Sequence, residues 1–349
     1  MRLADLEPTP RLVDWGLFVA VALALATGLV SLVSGRPGDA WVFVVHGAVG
    51  LALIGLLAWK LRRIASRLRR VRESATVALS ALLAATAVAT LATGVAWVLG
   101  ANVDLWGWTL LNLHVGLGLL VVPLLVAHLW RRFRAPTTDD WEGRRTTLQY
   151  AGLALAGGLT WRVSDAVGDA LGEPQRRFTG SKPTGGTGNR FPVTSWVLDD
   201  PDPVDLDDWR LHVTGAVERS RTFAYDDLSP DAERSALLDC TSGWYAERTW
   251  RGVAVGDLLD AVEPTADARW VVFHSVTGYR FGFPIAAARE CLLATHVDGE
   301  RLTHGHGFPL RVVAPGRRGF QWVKWVTAVE VRRTRDWGQW AAIFVSGVE

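Results

Sequence analysis

The pattern of apolar positions divides the chain in two. In the first half, four unbroken apolar runs (residues 12–33, 41–59, 75–99 and 105–130) each reach the roughly 20 residues a helix needs to cross a hydrocarbon core of about 30 Å. Asp14, near one end, is the only acid or base inside them. A soluble core does not sustain four such runs, so residues 1–134 are read as a four-helix transmembrane domain. A further run, residues 146–161, is glycine-rich and less apolar. It is read as a fifth membrane helix, the alternative being a short interfacial helix behind a basic flank.

Residues 168–188 gather Gly, Pro and polar side chains, the composition of a linker. Beyond them the period shortens. Residues 209–217, 270–275, 310–313 and 328–331 are brief apolar or alternating runs between Gly, Pro and Asp, which predicts strands. Residues 253–262 and 285–293 fit short helices. The expected fold class is therefore two-domain: an all-α transmembrane bundle, then an α+β, mostly β, domain over residues 189–335 with a tail at 336–349.

Charge sets the orientation. Residues 60–74 hold Lys60, Arg62, Arg63, Arg67, Arg69, Arg70 and Arg72, the loop 100–104 has no cation, and Arg131, Arg132, Arg134, Arg144 and Arg145 follow the fourth run. Cations flanking spans stay on the cytoplasmic side. The N-terminus and the end of the fourth helix are thus expected inside, in a multi-pass protein of the cell membrane whose partner is the lipid bilayer. A fifth crossing over residues 135–167 puts the second domain outside the cytoplasm. Arg144-Arg145-Thr146-Thr147-Leu148 resembles a twin-arginine export signal, which implies export of a folded, cofactor-loaded domain. The first run is too long for a cleavable signal peptide and reads as a signal anchor. Net charges of +4 over residues 1–173 and −2 over the remainder leave no nucleic-acid-binding half. Of 37 basic residues only Lys60, Lys182 and Lys324 are lysines. Cys240 and Cys291 are the only cysteines, too few and too far apart for a zinc site or a disulfide framework.

The two membrane hairpins repeat each other. Leu25-Ala26-Thr27-Gly28 matches Leu91-Ala92-Thr93-Gly94, and His46-Gly47-Ala48-Val49-Gly50-Leu51 matches His114-Val115-Gly116-Leu117-Gly118-Leu119, so an internal duplication is expected. His46 and His114 fall at one depth, where two imidazoles can ligate one haem iron from opposite faces beside small residues that admit a flat macrocycle. The alternative is a pair of interhelical hydrogen bonds. His128 lies four turns further in and would serve a second haem, but its partner position is Lys60, which leaves His128 to cap the inner helix end instead. The arrangement resembles a four-helix b-type cytochrome and implies haem b.

In the second domain an apolar strand-like run, Leu237-Leu238-Asp239, breaks at Cys240 into Thr241-Ser242-Gly243. On these flanks alone Cys240 reads as a buried core cysteine. His306 and Arg311, in Leu302-Thr303-His304-Gly305-His306-Gly307-Phe308-Pro309-Leu310-Arg311, and Lys324, in Ala314-Pro315-Gly316-Arg317-Arg318-Gly319-Phe320-Gln321-Trp322-Val323-Lys324-Trp325, suit a pterin and its phosphate, against a reading as a basic surface loop beside a strand. These residues resemble the sulfite oxidase superfamily of molybdopterin enzymes, which includes bacterial sulfoxide reductases with one cysteine on molybdenum. The resemblance covers residues 186–332. It implies a sulfite-oxidase-type molybdopterin-binding fold and a Cys240 thiolate on molybdenum. Further implied cofactor contacts are Asn189, Ser275, His306 and Arg311, and a phosphate-binding end at Trp322, Val323 and Lys324. Tyr279 matches the family's active-site tyrosine, its alternative being a turn tyrosine after Gly278. Where sulfite oxidases place anion-binding arginines this chain has Gly188, Trp244 and Tyr245, with Arg190, Arg248 and Arg280 as possible substitutes. Cys291, on an expected helix, reads as core.

The resemblance implies a membrane-bound oxidoreductase that transfers an oxygen atom to or from a small-molecule substrate, with electrons passing singly through a haem on the same side of the membrane as the molybdenum and through the quinone pool or another redox carrier. The missing arginines tilt the direction towards reduction. Two rivals stand beside this reading: the same molybdenum domain on a haem-free anchor with a separate carrier, and an inactive membrane sensor or binding protein on this scaffold.

Overall fold

The computed structural model describes residues 9–68, 75–101, 103–105, 108–130, 133, 135, 144–170, 176–195 and 199–347. They fall into two compact units, Met1–Gly180 and Ser181–Glu349.

The first unit is helical: α1 (Pro10–Ser31), α2 (Ala40–Leu68), α3 (Ala75–Val98), α4 (Leu110–Trp130) and α5 (Arg144–Ala170). The first four are long and apolar enough to cross a membrane. Their ends follow local chemistry. Thr9 accepts the Leu12 amide through its hydroxyl and Pro10 opens α1, a capped start two residues earlier than the apolar run. The helix expected from residue 105 begins at Leu110, because β1 (Asp104–Leu105) and β2 (Trp108–Thr109) pair as a short hairpin and Thr109 accepts the Asn112 amide. α2 runs past its apolar part and carries Lys60 and Arg63, both paired to Asp14 of α1. Of the other cations used to set orientation, Arg69, Arg70, Arg72, Arg131, Arg132 and Arg134 lie outside the described residues.

α5 falls short of the apolarity of the other four and packs along α2. Its glycine content has a local cause: a Cβ on Gly157 would run into the carbonyl of Ala48, the close approach that small residues allow between membrane helices. Tyr150, near its start, donates to the carbonyl of Leu12 at 3.0 Å. Beyond its end, Arg177 donates to Gly35 O at 3.4 Å and Trp97 to Gly180 O at 3.1 Å. The chain from α5 to Gly180 therefore runs from the start of α1 to past its end.

The second unit holds two sheets. One is ordered β11 (Glu300–Arg301), β10 (Leu292–Val297), β7 (Trp244–Ala254), β3 (Lys182–Pro183), with β12 (Arg311–Val313) on β10 and β6 (Ala232–Asp239) on β7. The other is ordered β5 (Arg221–Phe223), β4 (Leu211–Gly215), β13 (Val326–Arg332), β8 (Trp270–Ser275), β9 (Arg280–Pro284). α6 (Val255–Val262), α7 (Ile285–Arg289) and α8 (Gln339–Val345) complete it. Trp250, Trp322, Phe273, Leu211, Leu259, Leu293 and Leu310 are among the fully buried side chains of its core.

Three boundaries differ from expectation. The helix expected over residues 285–293 stops at Arg289, and Leu292, Leu293 and Ala294 start β10 with both faces buried; a short, wholly apolar run carries no period that separates strand from helix. Cys291 thus leaves the helix but stays buried, its thiol pushed up to about 12 by burial. The stretch read as linker ends inside the second unit, where Lys182 and Pro183 pair with Trp244 and Tyr245; residues 171–175 of it lie outside the described residues. The stretch read as a tail packs as α8 against β9, and Gln339 accepts the Gly282 amide at 2.9 Å.

β7 and β10 are held close by Gly252, where a Cβ would meet the backbone of Leu293 and Ala294. Gly252→Val is expected to cost on the order of 1–3 kcal/mol through overpacking, measurable as a lowered thermal unfolding midpoint in detergent.

Candidate functional site

The β6–β7 hairpin turns at Cys240. The Cys240 amide donates to Trp244 O at 2.8 Å and the Gly243 amide to Cys240 O at 3.1 Å, so the turn is tight and the thiol is fixed at its tip, 6% exposed. The turn is anchored from beneath by an ion pair between Arg318 and Asp239 at 2.8 Å, their side chains 4% and 2% exposed. Arg318 also donates to Cys240 O at 3.3 Å, and Ser181 donates to Asp239 at 2.6 Å. Gly319 lets this loop lie against Cys240, since a Cβ there would sit 3.1 Å from the Cys240 Cα.

Arg311 and Lys324 lie within electrostatic reach of Cys240. Arg311 starts β12, is 4% exposed, donates to His306 O at 3.0 Å and stacks over Trp250 and Trp322. Its Nε is buried without a hydrogen-bond partner. Lys324 donates to Ser195 at 2.9 Å and to Gly305 O at 2.8 Å. Burial, with the nearby Arg311 charge, brings its ammonium down to about 7. Among the described residues neither cation forms an ion pair within 4 Å. A buried and a half-buried cation without a paired carboxylate, the buried one with an orphaned Nε, beside a thiol, form a donor set that fits an anionic pterin phosphate and a metal.

The remaining expected residues divide. His306 is buried, its Nδ1 against the Thr303 hydroxyl at 2.6 Å and its Nε2 against Phe191 O at 2.9 Å. Burial, with Arg311 and Lys324 nearby, lowers its pKa to about 4, so the ring is neutral. Both nitrogens are used to shape the loop. Asn189 accepts the Thr303 amide and donates to Glu300 and to Arg301 O, bracing the same loop from its other end. The Trp322 and Val323 side chains are core, each 1% exposed. Ser275, at the end of β8, bonds the Thr277 hydroxyl at 3.1 Å. Tyr279 is buried and donates to Phe320 O at 2.6 Å; burial, then Asp199, raises its pKa, so it remains a donor.

Asp199 escaped sequence reasoning. It is 9% exposed, hydrogen-bonded with Thr277 and near Lys324 and Tyr279, and its Oδ1 has no partner. Burial raises its pKa. Its only sequence signal was an acid flanked by the apolar Leu198 and the prolines that follow. Of the substitute arginines, Arg248 is paired with Asp298 at 3.4 Å and Arg280 with Asp336 at 2.6 Å. Both are committed to structure.

In the first unit the His46 and His114 rings face each other, centroids 6.0 Å apart at 89°. The Thr27 hydroxyl holds His46 Nδ1 at 3.0 Å, and Thr90 O holds His114 Nδ1 at 2.8 Å. Gly28 faces the first ring and Gly94 the second, so the repeated Gly and His positions meet in each hairpin, whereas Thr93, the counterpart of Thr27, bonds Ala89 O and Thr90 O instead of the ring. Further in, His128 bonds Ser80 at 3.2 Å. The register that aligns Leu25 with Leu91 aligns Asp14 with Ser80, and the one that aligns His46 with His114 aligns Lys60 with His128. The Lys60–Asp14 pair is thus the counterpart of His128–Ser80.

Residues 198–340 match the profile of the oxidoreductase molybdopterin binding domain. The chain is 30% identical over 155 residues to the uncharacterized oxidoreductase YuiH of Bacillus subtilis (strain 168), covering 43% of this chain and 78% of that protein. It is 31% identical over 147 residues to the protein-methionine-sulfoxide reductase catalytic subunit MsrP of Xanthomonas campestris pv. campestris, covering 36% of this chain and 45% of that one. The sulfane dehydrogenase SoxCD of Paracoccus pantotrophus is similar over 38% of this chain and 40% of that structure, at 25% identity and a TM-score of 0.36. The chain belongs to the molybdopterin-binding oxidoreductases of the sulfite oxidase family. Its second unit is the oxidoreductase domain and its first carries four helices fit for a membrane.

Two outcomes test this geometry. Arg318→Ala strands the Asp239 carboxylate and is expected to destabilise the protein by about 3–5 kcal/mol, whereas the apolar pair Asp239→Leu with Arg318→Met recovers most of it; denaturant midpoints read both. Lys324 has a folded pKa below its ordinary value, so between pH 7 and about 10.4 the unfolded chain binds more protons there. In cofactor-free protein its contribution to stability should rise with pH through that window and fall as pH drops towards 7. Comparison with Lys324→Met at pH 7 and 9 isolates it.

Proposed function

We propose that this chain is a membrane-bound sulfoxide reductase in which Cys240 ligates molybdenum. The observation that carries the reading is the thiol at the hairpin tip within reach of two cations that lack a paired carboxylate, Arg311 buried and Lys324 half-buried. The names of relatives, among them a methionine-sulfoxide reductase subunit, supply the substrate class, and the commitment of Arg248 and Arg280 to carboxylates speaks against an oxyanion substrate.

The bound molybdenum cofactor supplies two-electron oxygen-atom transfer. The chain's own residues do the rest. Arg311 and Lys324 hold the anionic end of the cofactor, while His306 and Asn189 keep their loop in place. Ser275, Thr277 and Tyr279 offer hydroxyl donors, and Asp199, a carboxyl made a weaker acid by burial, is suited to hold a proton. Reduction breaks the S–O bond, takes two electrons and two protons, and releases the sulfide and water.

His46 and His114 would hold a b-type haem, which would supply one-electron transfer between the quinone pool and the oxidoreductase domain. Lys60, tied to Asp14, offers no partner for His128, so a single haem is proposed. α5 is proposed as the fifth crossing, taking the chain from a cytoplasmic N-terminus to an extracytoplasmic oxidoreductase domain.

Purified protein from a molybdate-supplied host should hold close to one molybdenum per chain and reduce methionine sulfoxide. Cys240→Ser should lose the metal and the turnover. A dithionite-reduced spectrum should show a b-type band that disappears in His46→Ala and His114→Ala. Absence of that band from the parent protein would reduce the helices to an anchor served by a separate carrier.

A further inference from the structure

The end of the second hairpin that carries His128 holds a cavity of about 240 Å³, walled by Ala75, Thr76 and Leu79 of α3 and by Ala127 and His128 of α4. Ala75 and Ala127 are exposed, so the cavity opens at the flank of the helix pair. In helices that cross a membrane, an opening there is reached from the bilayer.

The first hairpin shows why the space exists. The register that aligns His46 with His114 and Lys60 with His128 also aligns Trp59 with Ala127. An indole stands where the second hairpin has a methyl group, and the ion pair of Lys60 with Asp14 stands where it has His128 and Ser80. The space is therefore a property of the second hairpin and not of the repeat.

Its polar corner has a direction. Ser80 Oγ donates to Thr76 O at 2.8 Å, which uses its one proton, and lies 3.2 Å from His128 Nδ1. Nδ1 is thus the donor in the second contact, and a neutral ring in that tautomer has Nε2 as its acceptor. An imidazole held this way can take a proton from a hydroxyl brought to it. Size narrows the ligand further. A cavity of about 150 Å³ takes one benzene ring, so the space beside His128 admits a single ring with small substituents and not a macrocycle. Ala75, Leu79 and Ala127 make most of its wall apolar.

We propose that this cavity seats the head group of a membrane quinol, with one ring hydroxyl donating to His128 Nε2 and the apolar tail leaving past Ala75 and Ala127 into the bilayer. The proposal rests on the quinone-pool reading above and gives that exchange a place. On oxidation both O–H bonds of the quinol break, two electrons leave singly for the proposed haem, one proton goes to His128 Nε2 and the other to water, and the quinone departs. Two electrons and two protons are what reduction of one sulfoxide consumes.

The test uses the full-length holoprotein in detergent and a heptyl hydroxyquinoline N-oxide, a fluorescent analogue of a quinol head group whose emission is quenched on binding. The parent protein should quench it saturably. Ala127→Trp, which copies the first hairpin, and His128→Leu should each weaken binding about tenfold or more. His128→Gln, which keeps an acceptor, should recover part of the loss, and Leu120→Trp, at an exposed position of the same helix, should bind as the parent does. Elution as a single monodisperse species establishes each variant as folded before its titration. Rapid mixing with a short-chain quinol then reads haem reduction, which should slow in Ala127→Trp and His128→Leu. Absence of saturable binding by the parent, or parent-like affinity in both of those variants, overturns the proposal. So does an equal loss of affinity in Leu120→Trp. If the b-type band is absent while the probe binds in the expected pattern, the haem reading fails and the quinol site stands.

Discussion

The ion pair between Arg318 and Asp239 is the contact on which the site depends. Both groups are withdrawn from water almost completely, and a lone charge there would be costly, so each fixes the other. Asp239 ends β6 and the next residue is Cys240, so whatever fixes the carboxylate fixes the thiol. The pair also joins two distant stretches of chain, because Arg318 belongs to the loop that continues through Trp322 and Val323 to Lys324. A thiol at a hairpin tip and a cation on a separate loop come together through this one buried contact. Ser181 adds a third tie, bringing the first residue of the second unit to the same carboxylate.

Local spacing made part of this visible in the sequence. The end of an apolar strand at Cys240, the glycines around His306 and the scarcity of lysine at Lys324 are read within a few residues. Asp239–Arg318, Asp199–Thr277 and the bracing of the His306 loop by Asn189 join residues tens of positions apart, and no periodicity encodes them. The same limit applies to the elements. The four long helices were plain because bilayer thickness sets a length that little else in the sequence meets. In the second unit the 270–275 strand was legible, whereas β10 was taken for the end of a helix because a strand buried on both faces shows no alternation. Trp322 and Val323 illustrate a further limit: a motif can mark a segment correctly while the side chains that made it recognisable point into the core.

The two histidine-bearing hairpins share a sequence pattern and place their rings alike. In both hairpins a glycine at the matching position lies against the ring, while Nδ1 is held by the Thr27 hydroxyl in one and by the backbone carbonyl of Thr90, a non-matching position, in the other. An imidazole kept in one orientation by an outer hydrogen bond is a common feature of ligating histidines, but such a bond also satisfies a polar ring among helices. The two rings also meet each other edge to face, with centroids 6.0 Å apart.

Four turns further in, the copies have parted. Ser80 and His128 remain a neutral-capable pair, while the aligned positions became Asp14 and Lys60, joined by Arg63. A carboxylate at the end of a membrane helix is tolerated when cations accompany it, and α2 extends beyond its apolar stretch to deliver both Lys60 and Arg63 to it. An ammonium held by a carboxylate has no lone pair for a metal. The first hairpin has thus exchanged a possible ligand for an electrostatic clamp between α1 and α2, at the end of the bundle where Tyr150 of α5 also reaches the backbone of α1. The inner end of the bundle is fixed by charge and hydrogen bonds, and the histidine pair at the other depth is left as the one place where both copies still present the same chemistry.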